Sequence, residues 1–176
     1  MSRVLIGNLD PMEDEVDRLL EAWRRERPDL DVAPMEVLSR VSRLARHLDR
    51  ARSQAFSTHG LESWEFDVLA ALRRAGAPYQ LSPGRLLKET LVTSGTMTNR
   101  VDRLTARGLV ERLPDPADRR GVLVQLTSAG RDAVDAAMAD LLTHERDLLS
   151  TISERDQQKI ARVLRDLVRP FDLEKN

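Results

Sequence analysis

The chain has 176 residues, 41% apolar and 32% charged, and contains no cysteine. Disulfides and thiol-based peroxide sensing are thereby excluded, a zinc site is disfavoured, and the lack of any long apolar run argues against a membrane span. The net charge of −1 hides an asymmetry: Arg85 to Arg120 holds eight Lys/Arg and five Asp/Glu, so this segment carries +3 and the remainder −4. A basic segment on an acidic body concentrates attraction for phosphate on one face.

Residues 1–10 are expected to be loose, and they show no signal-peptide pattern, so an intracellular, cytoplasmic protein is expected. A helix is expected over 11–27, where Met12, Val16, Leu19, Leu20 and Trp23 recur at helical spacing and Pro28 follows. Trp23 adds nothing obvious to nucleic-acid binding; the plain reading is an anchor to the body. Asp31-Val32-Ala33-Pro34 opens the next helix, running to about Ser57, with a stripe of Met35, Leu38, Val41, Ala45 and Leu48. The five arginines around it (40, 43, 46, 50, 52) read as a solvated face or as partners for acids on a second subunit.

His59-Gly60 breaks the chain. A helix is expected over 63–75, closed by Gly76 and apolar nearly all round. Asp67 is the odd residue in it, because a buried carboxylate is expensive unless paired or hydrogen-bonded. Arg100 and Arg112 in the following elements are candidate partners. Residues 79–81 suggest a short strand.

Residues 82–126 organise the rest. Ser82-Pro83 gives a hydroxyl cap and a proline at the first helical position. Thr93 or Ser94 opens a second helix, and Gly108 is placed to end it in a left-handed cap. Leu109-Val110 and Val122–Leu126 read as strands, with 114–121 between them as a loop ending in two arginines. Helix, turn, helix and basic hairpin is the plan of a winged helix-turn-helix, a mainly α fold with a small β wing.

On a wheel, Met97, Val101 and Leu104 share one sector of the second helix and must face the core. Thr96, Asn99 and Arg103 point away from it, with Thr98 on one flank, and these groups suit base edges and phosphates. Ser94 and Gly95 lie at the helix start, where exposed amides favour an anion and a missing side chain lets a phosphate approach. Arg100 sits about 60° from the apolar centre, beside the core rather than opposite it. It therefore suits an internal contact better than DNA.

After the wing, Thr127 to Gly130 caps a long helix to about Ser150. Ser153 to Asp156 opens another, running to Val168 with Pro170 beyond its end. Long amphipathic helices on both sides of a DNA-reading unit predict a homodimer on an inverted repeat of double-stranded DNA. His47, His59 and His144 lack metal-ligand spacing and read as solvated helix residues. No nucleophile–base pair or phosphate loop is present, so an enzyme is not expected, nor is a cofactor.

The runs Leu91 to Leu104, Gly108 to Arg112 and Asp115 to Gly121 resemble the MarR family of dimeric winged-helix regulators, over roughly residues 35–168. The segments Trp23 to Asp31 and Pro34 to Val37 narrow the resemblance to the urate-responsive HucR/PecS-like branch, which carries an extra N-terminal helix. The resemblance implies one MarR-like domain over 1–176. Its parts are the extra helix 11–27, dimerisation helices 35–58 and 127–170, and the winged unit 61–126. It implies DNA contacts at Ser94, Gly95, Thr96, Thr98, Asn99, Arg103, Asp118, Arg119 and Arg120. It also implies a pocket for urate or another small purine anion made by Trp23, Asp67, Arg100 and Arg112. A guanidinium can pair in-plane with such an anion, and an indole can cover its ring. Other small anions, such as phenolic acids or aconitate, and a constitutive DNA-binding protein with no ligand are the competing expectations.

Overall fold

The computed structural model describes residues 13–90 and 93–173, and at Arg119 the backbone alone. The expectations for residues 1–10, Pro11, Met12, Leu91 and Val92 lie outside the described residues. The chain forms two compact units, Met1–Arg50 and Ala51–Asn176.

The first unit holds α1 (Glu15–Glu26) and most of α2 (Ala33–Thr58). Asp14 opens α1 with a capping box: its carboxylate accepts from the Val16 and Asp17 amides at 2.7 and 3.1 Å, and Asp17 answers the Asp14 amide at 2.9 Å. Val16, Leu20 and Val32 form a small core with Met35 packed against it. Two arginines of α2 meet acids of the same chain. Arg40 pairs with Asp14 at 2.8 Å and Asp17 at 2.7 Å, and Arg43 pairs with Glu15. Both arginines keep over a third of their side chains exposed, and they meet these acids because α1 lays its acidic first turn along α2.

The second unit contains α3 (Ser63–Arg74), β1 (Gln80–Leu81), α4 (Pro83–Thr90), α5 (Ser94–Ala106), β2 (Val110–Asp115), β3 (Asp118–Leu126), α6 (Ser128–Leu149) and α7 (Glu154–Leu173). The strands form one antiparallel sheet in the order β1-β3-β2. Leu69, Leu72, Leu86, Met97, Leu104 and Val124 are almost wholly buried, so α3, α4, α5 and β3 share one core. The Ser82 hydroxyl accepts from the Arg85 amide at 3.4 Å ahead of Pro83. Gly108 takes φ +70°, its amide meets the Thr105 carbonyl at 2.9 Å, and Leu109 reaches back to Leu104 at 3.0 Å. That pair of bonds stops α5 and launches β2 from the next residue but one.

Three expectations change. The loop placed over 114–121 shrinks to Pro116-Ala117, because β2 and β3 pair from Val110↔Leu126 to Pro114↔Val122 and, after a register shift, again at Asp115↔Asp118. Pro114 is tolerated because β2 is an edge strand, where a missing donor faces solvent. α7 continues through Pro170 to Leu173 rather than stopping before it. Proline frees a carbonyl one turn back, and α7 has no buried residue, so water can satisfy it. His59, read as a solvated helix residue, lies past the end of α2, half-buried, with Nε2 2.6 Å from Asp140 Oδ2 on α6.

Candidate functional site

α5 presents the polar face that its wheel requires. Ser94, Gly95, Thr96, Thr98, Asn99 and Arg103 are exposed, while Met97, Val101 and Leu104 are buried. Thr93 and Thr96 share a hydroxyl contact of 2.9 Å, and Thr98 donates to the Ser94 carbonyl at 3.2 Å, so the first turn is ordered by its own side chains. A Cβ at Gly95 would meet no described atom within 4 Å. Packing within the chain does not explain a glycine there.

Arg103 is not free. Its Nη2 donates to Glu62 Oε1 at 2.7 Å and its guanidinium lies 4.6 Å from the Trp64 ring centre. Both partners of this ion pair are about half exposed, so water screens it and it adds little to stability. Trp64 Nε1 donates to the other Glu62 oxygen at 2.7 Å. These contacts hold the Glu62 carboxyl below its ordinary value, the Trp64 bond first and Arg103 after it.

At the wing tip, Asp115 and Asp118 accept from the amides of Ala117 and Arg120 at 2.8 and 2.9 Å. Asp118 thus folds the tip that presents Arg120, which is exposed. Gly121 closes it: a Cβ there would stand 2.8 Å from the Asp115 Cβ. The Arg119 side chain lies outside what the structure describes.

The four residues of the implied pocket divide. Asp67 is not buried, as its apolar neighbours suggest, but lines the wall of a cleft of about 440 Å³ shared with Phe66, Ala70, Val134 and Met138. The buried carboxylate of α3 is Glu65 instead. Partial desolvation by the cleft wall pushes the Asp67 carboxyl up, opposed by the charges of Arg100, Arg52 and Arg74. Among the described residues no cation stands within 4 Å of it, so Arg100 acts on Asp67 across a gap rather than as an ion pair. Arg100 is half-buried, with its guanidinium 5.5 Å from the Trp64 ring centre, and it lines a hollow with Asn99 and Arg103 rather than the Asp67 cleft. Arg112 pairs with Asp102 at 2.6 Å. Asp102 lies about 200° around α5 from Arg100, so this pairing does not bring Arg112 to Asp67. Trp23 lies on α1 in the first unit and is 42% exposed.

Glu62, Trp64, Glu65 and Arg107 also carry this site, and sequence reasoning missed them. Glu62-x-x-Glu65 is a capping-box spacing, which was the available signal. The arginine partners come from α5 and its cap, about forty residues on. Among the described residues no group of His, Asp and Glu could hold a metal ion, and no helix is long and apolar enough to cross a membrane.

The MarR family model matches residues 59–121, from the α2–α3 turn to the wing. The HTH-type transcriptional regulator PecS of Dickeya dadantii is 41% identical over 150 residues, which is 85% of this chain and 90% of PecS. The HTH-type transcriptional repressor NicR of Pseudomonas putida is 38% identical over 111 residues, 61% of this chain and 68% of NicR. Among solved structures, a cysteine-to-serine mutant of Escherichia coli MarR complexed with operator DNA is 28% identical and superposes with a TM-score of 0.64, covering 78% of this chain and 95% of that one.

Proposed function

Because the chain belongs to the MarR family of winged-helix transcription regulators, we propose that it is a dimeric cytoplasmic repressor released from an inverted-repeat operator by urate or a related purine anion. One observation carries the reading. α5 bears an exposed polar face for DNA and a half-buried arginine, Arg100, whose charge bears on the partly desolvated Asp67 carboxylate of α3. An anion that pairs with Arg100 comes close to Asp67 and repels it. The push moves α3 against α5 and takes the two DNA-reading heads out of register. For this to work the ligand must bind the DNA-incompetent state better. Arg112 is the second guanidinium in the reading and must exchange Asp102 for the ligand; Trp23 is the ring that covers it.

Dimerisation is supported by α7, where Ile160, Val163, Leu164, Leu167, Val168 and Phe171 form an apolar stripe at least 37% exposed in the single chain. A stripe of that length is stable in water when another helix covers it. No catalytic step is assigned.

The test begins with the duplex that the protein enriches from a random pool. That duplex is expected to carry two half-sites about 10 base pairs apart. Binding is then titrated with urate, xanthine, hypoxanthine, aconitate and salicylate, with thermal shift in parallel. Urate or xanthine is expected to raise the melting temperature and release the duplex. Urate should also quench tryptophan emission in wild type and lose that effect in Trp23→Phe. Release by aconitate or salicylate alone would replace the purine assignment, and stability unmoved by all five would favour constitutive binding.

A further inference from the structure

Among the described residues, Glu65 is the charged side chain with no exposed surface. One oxygen, Oε2, accepts the Glu62 amide at 2.9 Å and also the Arg107 Nη1. The other, Oε1, has no partner among the described residues. Arg107 uses its second terminal nitrogen, Nη2, on the Gly60 carbonyl at 2.7 Å. Arg107 caps the end of α5, Glu65 sits in the first turn of α3, and Gly60 lies in the turn between α2 and α3. One guanidinium therefore fastens the far end of the DNA-reading helix to two other elements.

A capping box does not explain this arrangement. Gln at the third helical position serves a box as well as Glu and brings no charge to bury. A buried carboxylate is kept only with a matched cation, and the planar fork of arginine can serve two acceptors at fixed angles where lysine cannot. The 13 residues of α5 make a rod about 20 Å long, so a tilt of about 3° at the Arg107 end displaces the Ser94 end by about 1 Å. Paired hydrogen bonds to base edges do not survive such a displacement unweakened.

We infer that Arg107, anchored by the buried Glu65, is a positioning residue that fixes the angle of α5 in the groove without itself touching DNA. The inference rests on the DNA-reading role proposed for α5. It is tested with Glu65→Gln, Arg107→Met and the double variant, measuring melting temperature and affinity for the enriched duplex over a salt series well below melting. Arg107→Met strands the Glu65 charge and lowers the melting temperature. The double variant removes charge and cation together and regains most of that loss. It still binds the duplex about tenfold more weakly, the equivalent of one base contact, with a wild-type salt slope. Affinity that returns together with stability would reduce the pair to a structural ion pair and overturn the inference. So would a salt slope about one unit flatter in Arg107→Met with wild-type affinity in Glu65→Gln, because Arg107 would then be a phosphate contact. Wild-type protein that enriches no duplex removes the DNA-reading role itself, and this inference with it.

Discussion

Gly130→Ala is a substitution whose sign depends on tertiary structure. In an exposed helix, alanine in place of glycine is favourable by about 1 kcal/mol. Gly130 instead lies in the first turn of α6, buried against the start of the wing. A Cβ there would stand 2.0 Å from the Leu109 carbonyl oxygen, so that carbonyl must retreat to beyond 3.0 Å. The same carbonyl accepts the Thr127 amide at 3.2 Å and the Thr127 hydroxyl at 3.1 Å. Thr127 also caps α6, its hydroxyl accepting the Gly130 amide at 3.0 Å. Two weakened hydrogen bonds cost about 1 kcal/mol each. The disturbed cap costs about 1 kcal/mol, and overpacking adds about 1–3 kcal/mol. Set against the helix preference, the net loss is about 4 kcal/mol. At roughly 2–4 °C per kcal/mol, the melting temperature should fall by about 12 °C. The assay is thermal unfolding followed by far-UV circular dichroism at one fixed protomer concentration. A melting temperature unchanged or raised in the alanine variant would refute the close approach of α6 to Leu109.

Asp67→Asn should be more stable than wild type at neutral pH. A carboxyl raised on folding contributes stability at low pH that is lost as pH rises through its folded value, so the gain should vanish as pH falls below 3.8, the ordinary aspartate value. The same variant should bind urate at least as well yet release DNA less readily; equal release by both proteins would rule out the electrostatic trigger. Arg100→Ala should reduce or abolish the urate response while keeping much of the DNA affinity, and lost DNA binding with normal urate binding would contradict the pocket role. Arg119→Ala and Arg120→Ala should each weaken DNA binding and flatten its salt dependence by about one unit of slope. Arg103→Ala should weaken binding too, and unchanged affinity in all three would remove the assignment of α5 and the wing to DNA.

The legible parts of this fold are those that a few neighbouring residues decide. The spacing of Met97, Val101 and Leu104 requires one buried face on α5, and that face is buried. Ser82-Pro83 and Gly108 mark helix ends through their own backbone preferences, and the helices begin and end there. The wheel position of Arg100 puts it beside the apolar sector of α5, and it is half-buried there, over the same Trp64 ring that Arg103 meets. Polar face, caps and basic hairpin were therefore readable together as a winged helix-turn-helix.

What the tertiary structure alone decided depends on groups far apart in the chain. The sequence contains two carboxylates in the apolar run of α3; helical spacing puts Glu65 on the face of Val68, Leu69 and Leu72, but nothing local supplies the cation that lets a carboxylate stay there. That cation is Arg107, 42 residues on, and the wall of the cleft beside Asp67 comes from α6. Asp102 takes Arg112, and Glu62 takes Arg103, for the same reason: a surface arginine pairs with whichever carboxylate the packing brings within reach. Pro114 reads as a loop until β3 pairs beside it, and Gly130 reads as a weak helix residue until the Leu109 carbonyl presses against it. Local preference follows from torsions and nearest neighbours; ion-pair choice, strand extent and close backbone approach follow from which surfaces the core brings into contact.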